Sequence, residues 1–177
     1  MIDALERNET KREGRCNMRV NNALEFDFPE GFEEMSKEET AGLQMSGGGE
    51  SIALSNKNNH LLVTVGWKRT GGFSGMILNT EDLRKKMEHD IRKSLTRLEY
   101  SDAGSSDMQV GGLAAAGFRY QYTAANGTDM AAESYVLKKD RTLYYFHLYS
   151  RRELASENSE LVRKVLGDAV WLNQTGI

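Results

Sequence analysis

The sequence has one cysteine and no long apolar run, and each shortage excludes a class of protein. A lone thiol, Cys16, cannot form an internal disulfide, which excludes a disulfide-stapled fold. No stretch approaches the roughly 18 apolar residues of a membrane-spanning helix. The N-terminal segment, residues 1–16, is charged where a signal peptide would need an apolar centre. These absences predict a cytoplasmic protein with no membrane insertion.

Positive charge is also in short supply, because 23 lysine and arginine residues face 26 acids, for a formal net charge of -3. A phosphate backbone would find no excess of positive charge to hold it, so nucleic acid is not expected as a partner. The 177 residues, 39% hydrophobic and 28% charged, are typical of one globular domain. Residues 1–20 are strongly charged without a sustained apolar period, which predicts a flexible arm or a loosely attached helix outside the core. Residues 21–177 are predicted to form the domain.

The first strand of the domain is predicted at residues 24–28, in the sequence LEFDF. Leu24, Phe26 and Phe28 alternate with acids, which is typical of a half-buried strand. Pro29, the only proline of the chain, ends it. An acidic segment follows directly.

Apolar periodicity predicts the remaining elements. In chain order they are a short helix at 36–45, strands at 51–56 and 60–69, a long helix from 80, strands at 107–110, 113–124, 130–139 and 142–150, and a helix from 156. The long helix has one apolar stripe, formed by Leu83, Met87, Ile91, Leu95 and Leu98. This order predicts an α+β domain, in which helices pack an antiparallel sheet of about six or seven strands.

Two segments carry a resemblance to a known family, FDFPEGF at residues 26–32 and YVLKKDRTLYYFHLYSRRE at 135–153, followed by a C-terminal helix. With the predicted element order, they resemble the PsbP-like superfamily over roughly residues 22–172. That superfamily includes the extrinsic photosystem subunit, a nuclear import factor that binds the GTPase Ran, and bacterial lipoproteins and secretion chaperones. The resemblance implies an antiparallel sheet between helices and a role in binding proteins rather than in catalysis.

No set of residues has the spacing of a catalytic or metal site. His60, His89 and His147 lie far apart in the sequence, and Cys16 gives none of them a partner at metal-ligand spacing. We therefore expect no metal, no cofactor and no enzymatic activity. His89 lies opposite the apolar stripe of its helix and is expected to be solvated.

The strand at 142–150 carries large side chains on both sides, so both of its faces need cover. One interpretation is a sheet sandwiched between helices, with His147 in or near the core. The other is an aromatic groove that receives a ligand or peptide, because tyrosine and arginine are efficient interface anchors. The residues of that groove would be Arg119, Tyr145, His147 and Tyr149.

Acidic residues are concentrated between positions 25 and 39, where seven acids and one base, Lys37, give a local charge of -6. One explanation is a solvated face that keeps a sheet edge soluble. The other is a docking surface for a basic partner, formed by Asp27, Glu30, Glu33 and Glu34. Charge of this density would chiefly speed and orient association.

The function that these observations favour is a non-enzymatic protein-binding module, an adaptor or chaperone for a protein with a basic surface. The alternative is a carrier of a small molecule or lipid in a pocket between the sheet and the helices, and a hydrolase comes third. A carrier requires an apolar pocket, whereas an enzyme requires converging polar groups with perturbed pKa values.

Overall fold

Two antiparallel sheets organise the protein, whose computed structural model describes residues 14–43, 48–72 and 77–173. The strands are β1 (Cys16–Val20), β2 (Leu24–Phe28), β3 (Glu33–Glu34), β4 (Glu50–Asn56), β5 (Leu61–Arg69), β6 (Ser101–Val110), β7 (Leu113–Thr123), β8 (Asp129–Lys139), β9 (Thr142–Arg151) and β10 (Val170–Trp171). The large sheet has seven strands in the order β3-β4-β5-β9-β8-β7-β6. The small sheet has three, in the order β1-β2-β10.

The helices of the described ranges are α1 (Lys37–Ala41), α2 (Thr80–Ser94) and α3 (Ala155–Gly167), with a 3-10 turn at Arg152–Leu154. A capping box starts α1: the Glu39 amide donates to Ser36 Oγ at 3.2 Å, and the Ser36 amide donates to Glu39 Oε2 at 2.8 Å. The amide of Glu81 donates to Asn79 Oδ1 at 2.9 Å and caps α2. The predicted starts of both helices are therefore confirmed, although α1 ends at Ala41, earlier than expected.

One face of the large sheet packs against α2. Met87 and Ile91 are buried there in a cluster with Phe118 and Val136, which lie on β7 and β8. His89 points away and is exposed. The predicted orientation of the helix is therefore confirmed.

The other face of the large sheet is covered by the small sheet and α3. Leu24 and Phe28 of β2 are buried in one cluster with Phe146 of β9 and Val162 and Leu166 of α3. Strand β10 extends the small sheet by pairing with β2. The predicted α+β fold, an antiparallel sheet of six or seven strands packed by helices, is confirmed, and the small sheet shares the cover of one face with α3. The strand at 24–28 belongs to the second sheet.

The predicted flexible arm is wrong at its C-terminal end. Residues 16–20 form β1, which pairs with β2 along its whole length. Met18 and Val20 are 6% and 0% exposed and lie in the same core cluster as Phe28. The domain therefore begins before residue 21, and residues 1–13 lie outside the described residues.

Candidate functional site

Two buried phenylalanine side chains anchor the turn that connects β2 to the acidic segment. Phe28 is fully buried, Pro29 stops the strand, and Phe32 is buried again after the turn. The centroids of the two rings lie 4.5 Å apart. Between them Gly31 has a φ of 97°, a left-handed conformation that glycine adopts without a steric penalty. The chain is thus fixed on both sides of the turn.

We call Asp27, Glu30, Glu33 and Glu34 together the acidic surface. Glu30, Glu33 and Glu34 are exposed, and none of them forms an ion pair with a residue of the described ranges. Asp27 is half-buried and accepts a hydrogen bond of 2.6 Å from Asn17 Nδ2. Three of the four predicted docking residues are therefore exposed and free of ion pairs within the ranges that the structure describes.

Strand β3 sends two of these carboxylates to opposite faces of the large sheet. Glu33 pairs with Ser55 and Glu34 with Leu54, and successive side chains of a strand alternate between faces. Among the described strands, β3 lies at the edge of the sheet and pairs only with β4. The acidic surface therefore wraps around a sheet edge rather than covering one face.

The start of β1 lies beside the acidic surface. The sequence did not predict this contact. Burial raises the pKa of the Cys16 thiol, and the nearby carboxylates of Glu34 and Asp27 raise it further. A Cβ atom placed on Gly14 would stand 3.3 Å from Glu30 Oε2. Three of the four acids thus lie near residues 14–16, where the chain enters β1.

The predicted aromatic groove is wrong as a set, because Arg119 lies on the other face of the large sheet. Arg119 pairs across the ladder with Glu133, which in turn pairs with Leu148. Paired residues share a face, so Arg119, Glu133 and Leu148 lie on the same face of the sheet. Successive side chains of β9 alternate between faces, so His147 and Tyr149 lie on the opposite face from Leu148. The Arg119 side chain forms an ion pair with Glu133, with 3.3 Å between Nε and Oε1.

His147 lies in the core, in agreement with the first of the two interpretations. Its side chain is fully buried, and its Nδ1 atom lies 2.7 Å from Ser134 Oγ. Tyr145 is also buried, in the cluster beneath α2. Tyr149 is half-buried and lines a cavity beside α2. These three residues therefore share a face but do not form an open aromatic groove.

A polar cluster that sequence reasoning missed joins α3 to the large sheet. Arg163 donates from Nη1 to the carbonyl oxygen of Asp107 and from Nη2 to Ser106 Oγ, both at 2.8 Å. Its Nη2 also lies 3.3 Å from Glu133 Oε2 and donates to the Tyr135 hydroxyl. These partners come from β6 and β8, so no local sequence pattern marks them. The charge-assisted hydrogen bonds hold α3 in place.

Two tyrosines with raised pKa values are expected to make the protein sensitive to alkali. Burial, with the Glu133 carboxylate next in importance, raises the pKa of Tyr135 to about 12, and burial raises the pKa of Tyr149 to about 12. In the unfolded chain both hydroxyls titrate near pH 10. The folded protein keeps protons that the unfolded chain loses, so the free energy of unfolding should fall as the pH rises from about 10 to 12.

Urea unfolding at several pH values across this window measures the effect. Tyr149→Phe removes one titrating hydroxyl and should make the fall shallower. A free energy of unfolding that stays constant across the window would show that the two hydroxyls are solvated.

Metal-binding groups and membrane-spanning helices were the other features sought in the part of the chain that the structure describes. No group of three or more histidine, cysteine, aspartate or glutamate side chains there could hold a metal ion. No helix in the same ranges has the length and apolar character required to cross a membrane. The expectations of a cytoplasmic protein without metal, cofactor or enzymatic activity stay predictions.

No protein-family model and no curated protein matches the chain, but solved structures do. Cyanobacterial PsbP (CyanoP) from Synechocystis sp. PCC 6803 is similar with a TM-score of 0.62 and 10% identity, over 90% of this chain and 93% of CyanoP. LpqN of Mycobacterium tuberculosis, involved in cell envelope biogenesis, gives 0.54 and 10%, over 89% and 90% of the two chains. The Ran-binding protein Mog1p of Saccharomyces cerevisiae gives 0.54 and 9%, over 89% and 95%.

These similarities establish the class of fold. The chain has the PsbP-like fold, and the resemblance predicted from the FDFPEGF segment and the element order is confirmed at that level. One fold supports many functions, so the functional argument depends on the residues of the site.

Proposed function

We propose that this protein is a non-enzymatic protein-binding module, an adaptor or chaperone, that docks a basic partner protein through the acidic surface. The observation that carries the proposal is the exposure of Glu30, Glu33 and Glu34 without ion-pair partners in the described ranges. Carboxylates in this state attract the lysine and arginine side chains of a partner over about 8 Å at physiological ionic strength.

The turn that carries these carboxylates is already ordered. Phe28 and Phe32 are buried on either side of it, and Pro29 restricts the backbone between them. A partner therefore meets a surface whose backbone does not have to be ordered on binding, which lowers the entropic cost of association.

The fold is compatible with this role. Mog1p, which has the same fold, is a Ran-binding protein. That supports protein binding as a class of function for this chain, while the identity of its partner has to come from the chain's own surface. A basic partner is the one whose charge complements the acidic surface.

The variant E30Q/E33Q/E34Q tests the proposal, because it removes three negative charges and keeps the size of each side chain. We expect it to fold like the wild type, since substitutions at exposed positions usually change stability by less than about 0.5 kcal/mol. Its association with the partner should slow by about tenfold or more. The partner is first isolated from the native cell by affinity purification, and the association rate constant is then measured with purified proteins.

The matched control is E153Q/E157Q/E160Q, which removes three exposed acids near and on α3. Both triple variants change the formal net charge from -3 to 0. We expect the control to associate at a rate close to that of the wild type. Equal slowing in both variants would assign the effect to net charge, and an unchanged rate in E30Q/E33Q/E34Q would leave these acids as a solubility device. Either result rejects the acidic surface as the docking site.

A further inference from the structure

Helix α2 covers only part of its face of the large sheet and leaves a groove beside it. Met87 and Ile91 pack the helix onto β7 and β8, while β5 lies farther across the sheet, beyond β9. The groove lies between the C-terminal half of α2 and the β4–β5 hairpin and has a volume of about 720 Å³. Small-molecule sites typically have about 300 to 1,000 Å³. We call it the α2 groove, and its apolar lining includes Leu62, Ile91, Leu95, Tyr122, Met130 and Tyr149.

The apolar walls of the α2 groove are incompletely buried by the protein. Leu62, Leu95, Tyr122 and Tyr149 are each half-buried, although Ile91, which lines the same groove, is buried. Contiguous apolar surface of this kind marks a binding site more often than single exposed side chains do. An apolar chain in the groove would complete the burial of these side chains.

The interior of the α2 groove is uncharged. Burial raises the pKa of Tyr120, and it raises the pKa of Tyr149 to about 12, so both hydroxyls are neutral at physiological pH. Thr64 also lines the groove and is fully buried, and its hydroxyl oxygen has no hydrogen-bond partner in the described part of the chain. A charged group would lose its hydration here without gaining an ion pair, which disfavours a ligand that is charged throughout.

The charged residues of the groove lie at its rim. Lys57 is exposed and has no ion pair within the described ranges. The acid that Lys57 influences is Glu39, whose pKa is lowered first by hydrogen bonds with Ser36 and only last by the charge of Lys57. Asp90 is also at the rim, but its Oδ2 accepts a hydrogen bond of 2.7 Å from Lys86 Nζ. Lys57 is therefore the groove-lining cation that has no ion pair within the described ranges, and its charge is complementary to an anionic head group.

We propose that the α2 groove binds a single-chain amphiphile with an anionic head group, namely a fatty acid. The alkyl chain lies along Leu62, Leu95 and Tyr149, and the carboxylate lies at Lys57. This ligand matches the three features of the groove: an open volume, uncharged apolar walls and a positive rim. The proposal does not depend on the acidic surface and assigns a second, separate binding activity to the protein.

The test is calorimetric titration of the full-length protein with dodecanoate, dodecyltrimethylammonium and dodecanol, each below its micelle concentration. We expect saturable binding of one dodecanoate per chain. Dodecyltrimethylammonium has an alkyl chain of nearly the same length with a head group of the opposite charge, and it should bind more weakly. Absence of saturable dodecanoate binding, or equal affinity for the anionic and the cationic amphiphile, would overturn the proposal.

Two pairs of variants locate the bound chain and its head group. Ser94→Trp adds an indole where α2 lines the groove and should abolish dodecanoate binding. The control is Thr96→Trp, because Thr96 does not line the groove and should tolerate the indole without loss of binding. Both variants remove a hydroxyl that donates a hydrogen bond to a helix carbonyl. Lys57→Glu should weaken dodecanoate binding by about fivefold or more, and Lys37→Glu, the same change at an exposed site on α1, should leave it unchanged. Dodecanoate binding that Ser94→Trp leaves intact would place the ligand elsewhere and reject the site.

Discussion

Replacing Phe28 with alanine is expected to lower the free energy of unfolding by about 3 to 5 kcal/mol, the usual cost of truncating a fully buried phenylalanine. Phe28 is 0% exposed, and its ring contacts those of Phe26 and Phe32, with centroids 5.6 Å and 4.5 Å away. The cavity left by the substitution would open between the small sheet and the turn that carries the acidic surface. The loss of packing should therefore affect stability and docking together.

Urea denaturation of Phe28→Ala and Glu30→Gln, followed by circular dichroism, measures this difference. The two substitutions lie two residues apart, on opposite sides of Pro29, but only the first removes a buried side chain. Glu30→Gln should unfold at the urea concentration of the wild type. If the two variants lost the same small amount of stability, Phe28 would not be part of the core and the described path of the turn would be wrong.

Truncating the chain to begin at residue 21 is expected to cost about 3 to 6 kcal/mol, because fully burying each of two apolar side chains contributes about 1.5 to 3 kcal/mol. These side chains are Met18 and Val20, which are 6% and 0% exposed. The truncation also removes the partner with which β2 forms five residue pairs, from Cys16 with Phe28 to Val20 with Leu24. Strand β2 would then pair only with β10, which has two residues.

A chain that begins at residue 14 is the control for this truncation, because it keeps the whole of β1. Thermal unfolding of the two truncated proteins should give clearly different midpoints, with the chain from residue 21 unfolding at the lower temperature. Equal midpoints would restore the prediction of a dispensable arm through residue 20 and would contradict the pairing of β1 with β2.

The elements that could be predicted from the sequence are those with a strong local period. Leu24, Phe26 and Phe28 alternate over a short strand, and Met87 and Ile91 recur at the helical spacing of four. Each pattern extends over enough residues to distinguish a strand from a helix. The capping residues then located the start of α1 and of α2.

Strand β1 was missed because its apolar alternation involves only Cys16, Met18 and Val20, at the end of a strongly charged segment. A signal was present in the next two residues. Asn21 and Asn22 have φ values of 52° and 50°, and asparagine is one of the few residues that favour such turn positions. Reading this Asn-Asn pair as a hairpin turn would have predicted β1 as the partner of β2.

The face of the sheet on which Arg119 lies could not be predicted from its own strand. The alternation of β7 separates Arg119 from Phe118 and Tyr120, but the face that β7 shares with His147 depends on the register of β7 with β8 and of β8 with β9. A slip of one residue in either pairing would exchange the faces. The contacts of Arg163 could not be predicted from its own helix either, because its partners lie on β6 and β8, far away in the chain.

The salt dependence of association is the measurement that tests the docking role of the acidic surface most directly. The association rate constant with the purified partner is determined at low and at high ionic strength for the wild type, E30Q/E33Q/E34Q and E153Q/E157Q/E160Q. If Glu30, Glu33 and Glu34 attract a basic partner, added salt should slow the wild type and the control steeply and the acidic-surface variant only slightly. An equally steep salt dependence in all three proteins would contradict the proposed function.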